Sequence, residues 1–152
     1  MIDLKPIESI AQRVVDAYRK ILADEGINAS SRLSDSAEVE VSLNNTKLVI
    51  SLMLEEYWKY VEYGRGPGKR PPIDAIENWI KVKPVIPDAR NGKIPTQRQL
   101  AYLISRKIGW EGTPARHAIN KTVYSDVVEG IINEIRNEIV RQLNQQLLGS
   151  EN

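Results

Sequence analysis

The sequence has 152 residues, with no cysteine, no phenylalanine, a single histidine and only two methionines. The missing cysteines exclude disulfides, thiolate metal sites and cysteine nucleophiles together. Without phenylalanine, branched aliphatics must fill most of the core, while three Trp and six Tyr bring polar tips that need partners or water. No apolar run approaches the ~20 residues of a membrane span, and no charged-then-apolar start marks a signal peptide. The expected location is therefore a reducing cytoplasm or the interior of an assembled particle. His117 stands without a second histidine or any cysteine, so it reads as a structural or surface residue rather than a metal ligand. No phosphate loop, dinucleotide fingerprint, nucleophile elbow or calcium-loop pattern occurs. Glu38 and Glu40 alternate with apolar residues as on a solvated strand face, and Asp74 and Glu77 sit at a helix start, where the dipole favours them. The expectation is a protein that is not an enzyme and uses no cofactor and no metal.

What is present is the composition of one folded domain, residues 1–152, with a hydrophobic fraction of 41% and a charged fraction of 27%. The net charge of +1 is unevenly spread: residues 1–64 sum to −4, residues 65–107 to +7 and residues 108–152 to −2. A basic middle between acidic ends can attract nucleic acid, or meet the acidic flank of a neighbouring copy.

Periodicity predicts an α+β fold: an N-terminal helix, a small antiparallel sheet, short helices and a long C-terminal helix packed on the sheet. Ile7, Ile10, Val14, Tyr18, Ile21 and Leu22 share one helical face, with Pro6 at its start and Gly26 as its stop. Ala29 to Ser36 reads as a loop. Ala37 to Leu43 and Thr46 to Leu54 alternate as two strands joined at Asn44-Asn45. In the second strand Leu48, Ile50 and Leu52 point one way, and Val49 and Met53 the other. Apolar residues on both sides predict cover on both sides, by a helix or another subunit. Glu55 to Tyr63 fits helix or strand equally. A short helix over Ile73 to Lys81 presents Ile73, Ile76 and Ile80 beside Trp79. Pro84 and Pro87 bound an extended piece, and an exposed loop covers residues 87–95. Thr96 caps a helix bearing Leu100, Leu103, Ile104 and Ile108, broken from Gly109 to Pro114. From Ile119 to Leu147 apolar residues keep helical spacing, which predicts one helix about 40 Å long. Its far end should leave the body or pack on a neighbour. Ile131, Ile135 and Ile139, widened by Val128 and Ile132, are the candidate oligomer interface.

The strongest local signal is the stretch from Gly64 to Pro72, where glycine and proline fill six of nine positions beside Arg65, Lys69 and Arg70. It reads as an exposed contact loop for a partner or for nucleic-acid phosphate. A rival signal lies at residues 96–122, which loosely follow a helix-turn-helix with Gly109 as the turn glycine. Arg98, Arg106, Lys107, Arg116 and Lys121 would suit DNA there.

The string Tyr60-Val61-Glu62-Tyr63-Gly64-Arg65-Gly66-Pro67-Gly68-Lys69-Arg70-Pro71-Pro72, followed by a helix with Ile76, Trp79 and Ile80, resembles head–tail joining and tail-completion (neck) proteins of tailed bacteriophages and prophages. The Trp-bearing helix after Pro-Pro, the helix from Leu100 to Ile108, and Gly112-Thr113-Pro114 are similar to the version in phages of Bacteroides-type gut bacteria. The likeness covers most of the chain in element order, and residues 57–80 and 100–114 in wording. Many members carry Pro-Phe-Leu before the last helix, where this chain has Thr113-Pro114-Ala115-Arg116-His117. The resemblance implies a virion structural protein without catalysis. It would form or complete a ring between portal and tail, or end the tail. Its implied partners are copies of itself, portal or connector proteins and tail-tube proteins, with non-specific DNA contact also open.

Overall fold

A computed structural model describes the chain except for residues 28–31, 57, 84, 86, 88–91 and 150–152. Among the described residues, seven helices and one two-stranded antiparallel sheet follow in the order α1 (Lys5–Asp24), α2 (Arg32–Asp35), β1 (Glu38–Asn44), β2 (Lys47–Met53), α3 (Trp58–Tyr63), α4 (Ile73–Val82), α5 (Gln97–Glu111), α6 (Ala118–Val123) and α7 (Asp126–Gly149). The fold is α+β.

Helix α1 is the spine, with β1, α2, α6 and α7 all packed against it. Pro6 stands in its first turn, where no amide hydrogen bond is lost. Cover on several sides moves the buried stripe from the predicted face. Ile7, Ala11, Val15, Tyr18 and Leu22 are fully buried, whereas Ile10, Val14 and Ile21 only flank them. Small Ala11 at the centre lets neighbours approach the helix axis, which a count of large apolar residues overlooks. The segment read as a loop up to Ser36 contains one helical turn, α2, whose Leu33 enters the same core. Residues 29–31 of that segment, Pro84, and residues 88–91 of the 87–95 loop lie outside the described residues.

The hairpin pairs Val39 with Leu52, Val41 with Ile50 and Asn44 with Lys47. Its turn is therefore Asn45-Thr46, one residue later than predicted, with Asn45 at a φ of 55°. Val39, Val41, Leu48, Ile50 and Leu52 pack toward α1 and its neighbours. Among the described residues nothing buries the other face: Val49 is 42% and Met53 52% exposed.

The predicted single C-terminal helix is two. Helix α6 ends at Tyr124, and the Ser125 hydroxyl accepts from the Val128 amide at 3.3 Å to begin α7. Apolar spacing continues across this break, so periodicity alone could not reveal it. At ~1.5 Å per residue, α7 is about 36 Å long beside an α1 of about 30 Å. The two run antiparallel, with Arg13 paired to Glu134 and Gln142 to Asp3. Gln146 donates to the Met1 carbonyl at 2.6 Å, so the far end of α7 is tied to the chain's own start instead of leaving the body. The isoleucine stripe proposed as an oligomer interface lies inside. Ile131 (0% exposed) and Ile135 (4%) pack against Ile7, Ala11 and Val41, and Ile139 borders the same cluster half-buried. Each such side chain contributes about 1.5–3 kcal/mol to burial within one copy. In this fold the buried pair is not available to a second chain.

Helices α4 and α5 pack on each other as a hairpin. Thr96 caps α5 as predicted, in a reciprocal box with Gln99. Arg98 reaches back to Asp74 at 3.1 Å and Glu77 at 3.0 Å in the first half of α4.

Candidate partner-contact surface

The Gly/Pro segment leaves α3 at Tyr63 and lies along the C-terminal half of α5. Arg65 exchanges two backbone hydrogen bonds with Thr113, at 2.9 and 2.8 Å. The Gly68 amide donates to the Gly109 carbonyl at 2.9 Å, and the Ser105 hydroxyl donates to the Pro71 carbonyl at 2.6 Å. These pairings run in opposite chain directions, so the loop is strapped down at three points.

Close approach requires small residues on the helix. The buried positions of α5 are Ala101, Ser105 and Gly109, one per turn, while Leu103 is 46% exposed. A Cβ on Gly109 would lie 2.6 Å from Arg70 Cγ, so the arginine stem crosses the helix where no side chain stands. Gly112 holds a φ of 73° and a ψ of −159°, a region open in practice only to glycine. A Cβ there would collide with the Arg65 carbonyl. The predicted stripe of Leu100, Leu103, Ile104 and Ile108 thus missed the contact, because it weighed size and not smallness.

Arg65 is half-buried and its Nη2 donates to the Lys69 carbonyl at 2.6 Å; Lys69 and Arg70 are exposed. On α5, immediately beside the strapped loop, the Arg106 guanidinium lies 4.5 Å from the centre of the Trp110 ring, and Trp110 is 62% exposed. The surface therefore joins the loop cations Arg65, Lys69 and Arg70, whose segment lies over Gly109, to the Arg106–Trp110 pair on the adjoining positions of α5. Sequence reasoning named the loop cations, placed Arg106 only in the helix-turn-helix reading, and missed Trp110. Their signal was an i, i+4 Arg–Trp pair flanking the small-residue stripe.

The carboxylates near this surface face elsewhere. Glu62 is buried and accepts from the Ile119 and Asn120 amides at 2.8 and 3.2 Å, capping α6. Its charge, after the larger effect of burial, helps push the Tyr18 phenol up to about 12. That hydroxyl has no hydrogen-bond partner among the described residues. Lys107 faces Glu111, and the Lys121 ammonium beside Glu25 holds that carboxyl below its usual range.

Residues 96–122 lack helix-turn-helix geometry. Gly109 lies within α5 and not at a turn, six residues separate α5 from α6, and α6 is only six residues long with Ala118 and Thr122 buried. Arg98, Lys107 and Lys121 have acidic partners. His117 is exposed, in the left-handed region at a φ of 54°. Among the described residues no three His, Cys, Asp or Glu side chains cluster as metal ligands, and no helix is long and apolar enough to cross a membrane.

No family model, curated protein or solved structure matches the chain.

Proposed function

We propose that the chain is a structural subunit of a tailed-phage virion, placed at the head–tail connector or the tail terminus, where copies form or complete a ring. The observation that carries this reading is the segment from Tyr60 to Pro72. Its wording resembles neck proteins, and its backbone is strapped to Ser105 and Gly109 of α5 and to Thr113 just beyond it, while Lys69 and Arg70 stay exposed. A loop fixed in this way meets a partner without the entropy cost of ordering a free one. The acidic N-terminal portion of one copy offers opposite charge to the basic middle of the next, in a heterologous contact that closes by rotation. Because Ile131 and Ile135 are core, the exposed apolar residues open to such contacts include Val49 and Met53 on the sheet and Ile132, Val140 and Leu143 on α7.

Quantitative mass spectrometry of purified particles from the source strain tests the reading. The expected result is this chain at a ring-like copy number, several per particle. Its absence from particles, or one copy per particle, would overturn the assignment.

A further inference from the structure

We propose that the face made by Arg65, Lys69, Arg70, Arg106 and Trp110 binds the phosphate backbone of nucleic acid without reading its sequence. This goes beyond the ring reading and does not depend on it.

The face carries charge of one sign. Lys69, Arg70 and Arg106 form no salt bridge among the described residues, and Arg65 spends one of its guanidinium nitrogens on the Lys69 carbonyl. A guanidinium has five N–H donors, so most of those on Arg65 remain free. The carboxylates that could neutralise the face are committed elsewhere: Glu62 to the α6 amides, Glu111 to Lys107, and Asp74 and Glu77 to Arg98. These four cations have no acidic partner among the described residues, and the adjoining Trp110 is exposed. They suit a polyanion, whose bound counterions are released on contact.

The backbone favours the same ligand. A Cβ added at Gly66 or Gly68 would meet nothing within 4 Å, so a phosphate can approach the main chain between the cationic side chains. The straps to α5 hold these groups in place before binding. Trp110 carries Arg106 over its ring yet is 62% exposed, so an unpaired base could stack on the indole. Recognition by this face needs no helix in a groove, and α6 is too short and too buried to supply one.

Fluorescence anisotropy of the isolated chain against a labelled duplex and an oligo-dT of equal length tests the proposal. With four cations engaged, log K against log salt should fall with a slope of about −3.6 for duplex and about −2.8 for single strand between roughly 50 and 200 mM salt. The variant Lys69→Ser/Arg70→Ser/Arg106→Ser should lower the duplex slope to about −0.9 with an unchanged circular dichroism spectrum. Lys69→Arg/Arg70→Lys, which keeps every charge, should retain the parent slope. Trp110→Ala should weaken single-strand binding roughly tenfold while leaving duplex binding nearly unchanged. No binding at ~50 mM salt with protein on the order of 10⁻⁴ M would overturn the proposal. So would an unaltered slope in the triple-serine variant. Equal competition by poly-glutamate would reassign the face to an acidic polypeptide. Each of these failures leaves the particle stoichiometry as a separate question.

Discussion

Replacing Gly112 by alanine should be among the most damaging single-methyl additions to this chain. The backbone there lies at a φ of 73° and a ψ of −159°, which costs a non-glycine residue about 1–3 kcal/mol. The added Cβ would also run into the Arg65 carbonyl and stand 2.9 Å from the Gly66 carbonyl carbon. Relief requires separating the two segments, which sacrifices the paired bonds between Arg65 and Thr113, at about 0.5–1.5 kcal/mol each. The combined loss is about 2–6 kcal/mol, a large part of the 5–15 kcal/mol typical of a folded domain. For a urea slope of about 2 kcal/mol/M, the midpoint should fall by about 1–3 M. If instead the loop opens alone, the global midpoint moves less and the Arg65 and Thr113 amides lose their hydrogen-exchange protection. Gly66→Ala is the matched control, because its Cβ would enter open space; it should stay within ~0.5 kcal/mol of the parent. A Gly112→Ala protein with an unchanged midpoint and both amides still protected would refute the strapped-loop description.

Ile131→Ala should cost about 2–5 kcal/mol, with a urea midpoint independent of protein concentration, because Ile131 is packed within its own chain. A midpoint that rises with concentration would return this stripe to an interface. Tyr18→Phe should be neutral or stabilising near neutral pH, since it removes a buried hydroxyl without a partner among the described residues. The parent keeps its phenol protonated up to about 12 when folded, whereas the unfolded chain loses that proton near 10. Its stability therefore falls as pH rises from about 10 to about 12, by about 2–3 kcal/mol in all. Alkaline melts of Tyr18→Phe should lack that share of the decline, and identical curves would remove Tyr18 as its source. Lys69→Ser/Arg70→Ser should change the urea midpoint by less than ~0.5 kcal/mol equivalent, and adding Arg65→Ser should cost about 0.5–1.5 kcal/mol more for its bond to the Lys69 carbonyl. A large loss in the double variant would mean that the side chains, and not the backbone straps, hold the loop.

Most elements were legible because their signals are local. The spacing of Ile7, Tyr18 and Leu22 needs only a helix to be recognised, and Thr96 with Gln99 is a cap readable in four letters. Alternation from Val39 to Leu52 placed the hairpin to within a residue at its turn. What failed was everything that depends on a neighbour. The centre of α1 moved to Ala11 and Val15 because helices and sheet surround it. The break at Tyr124-Ser125 hid inside unbroken apolar spacing. The isoleucines at 131 and 135 were assigned to an interface because a helix about 40 Å long was expected to outreach one domain, whereas α1 runs beside α7 and covers them.

The contact surface shows the same division more sharply. Arg65, Lys69 and Arg70 stand out in the sequence because glycine and proline mark the loop around them. Trp110 does not, and Arg106 stood out only as a helix-turn-helix cation, since their place beside the loop depends on which face of α5 the loop occupies. That face is set by Ala101, Ser105 and Gly109, residues with little or no side chain to announce a contact. Once the loop lies over those three positions, Arg106 and Trp110 become its immediate border. Leu103 remains 46% exposed. The smallest residues of α5 therefore decide where its largest charged and aromatic residues are displayed. Bulk introduced at Gly109 would displace Arg70 before disturbing any hydrophobic cluster. The loop and the helix form one surface, and a change to either should be felt in the contacts of both.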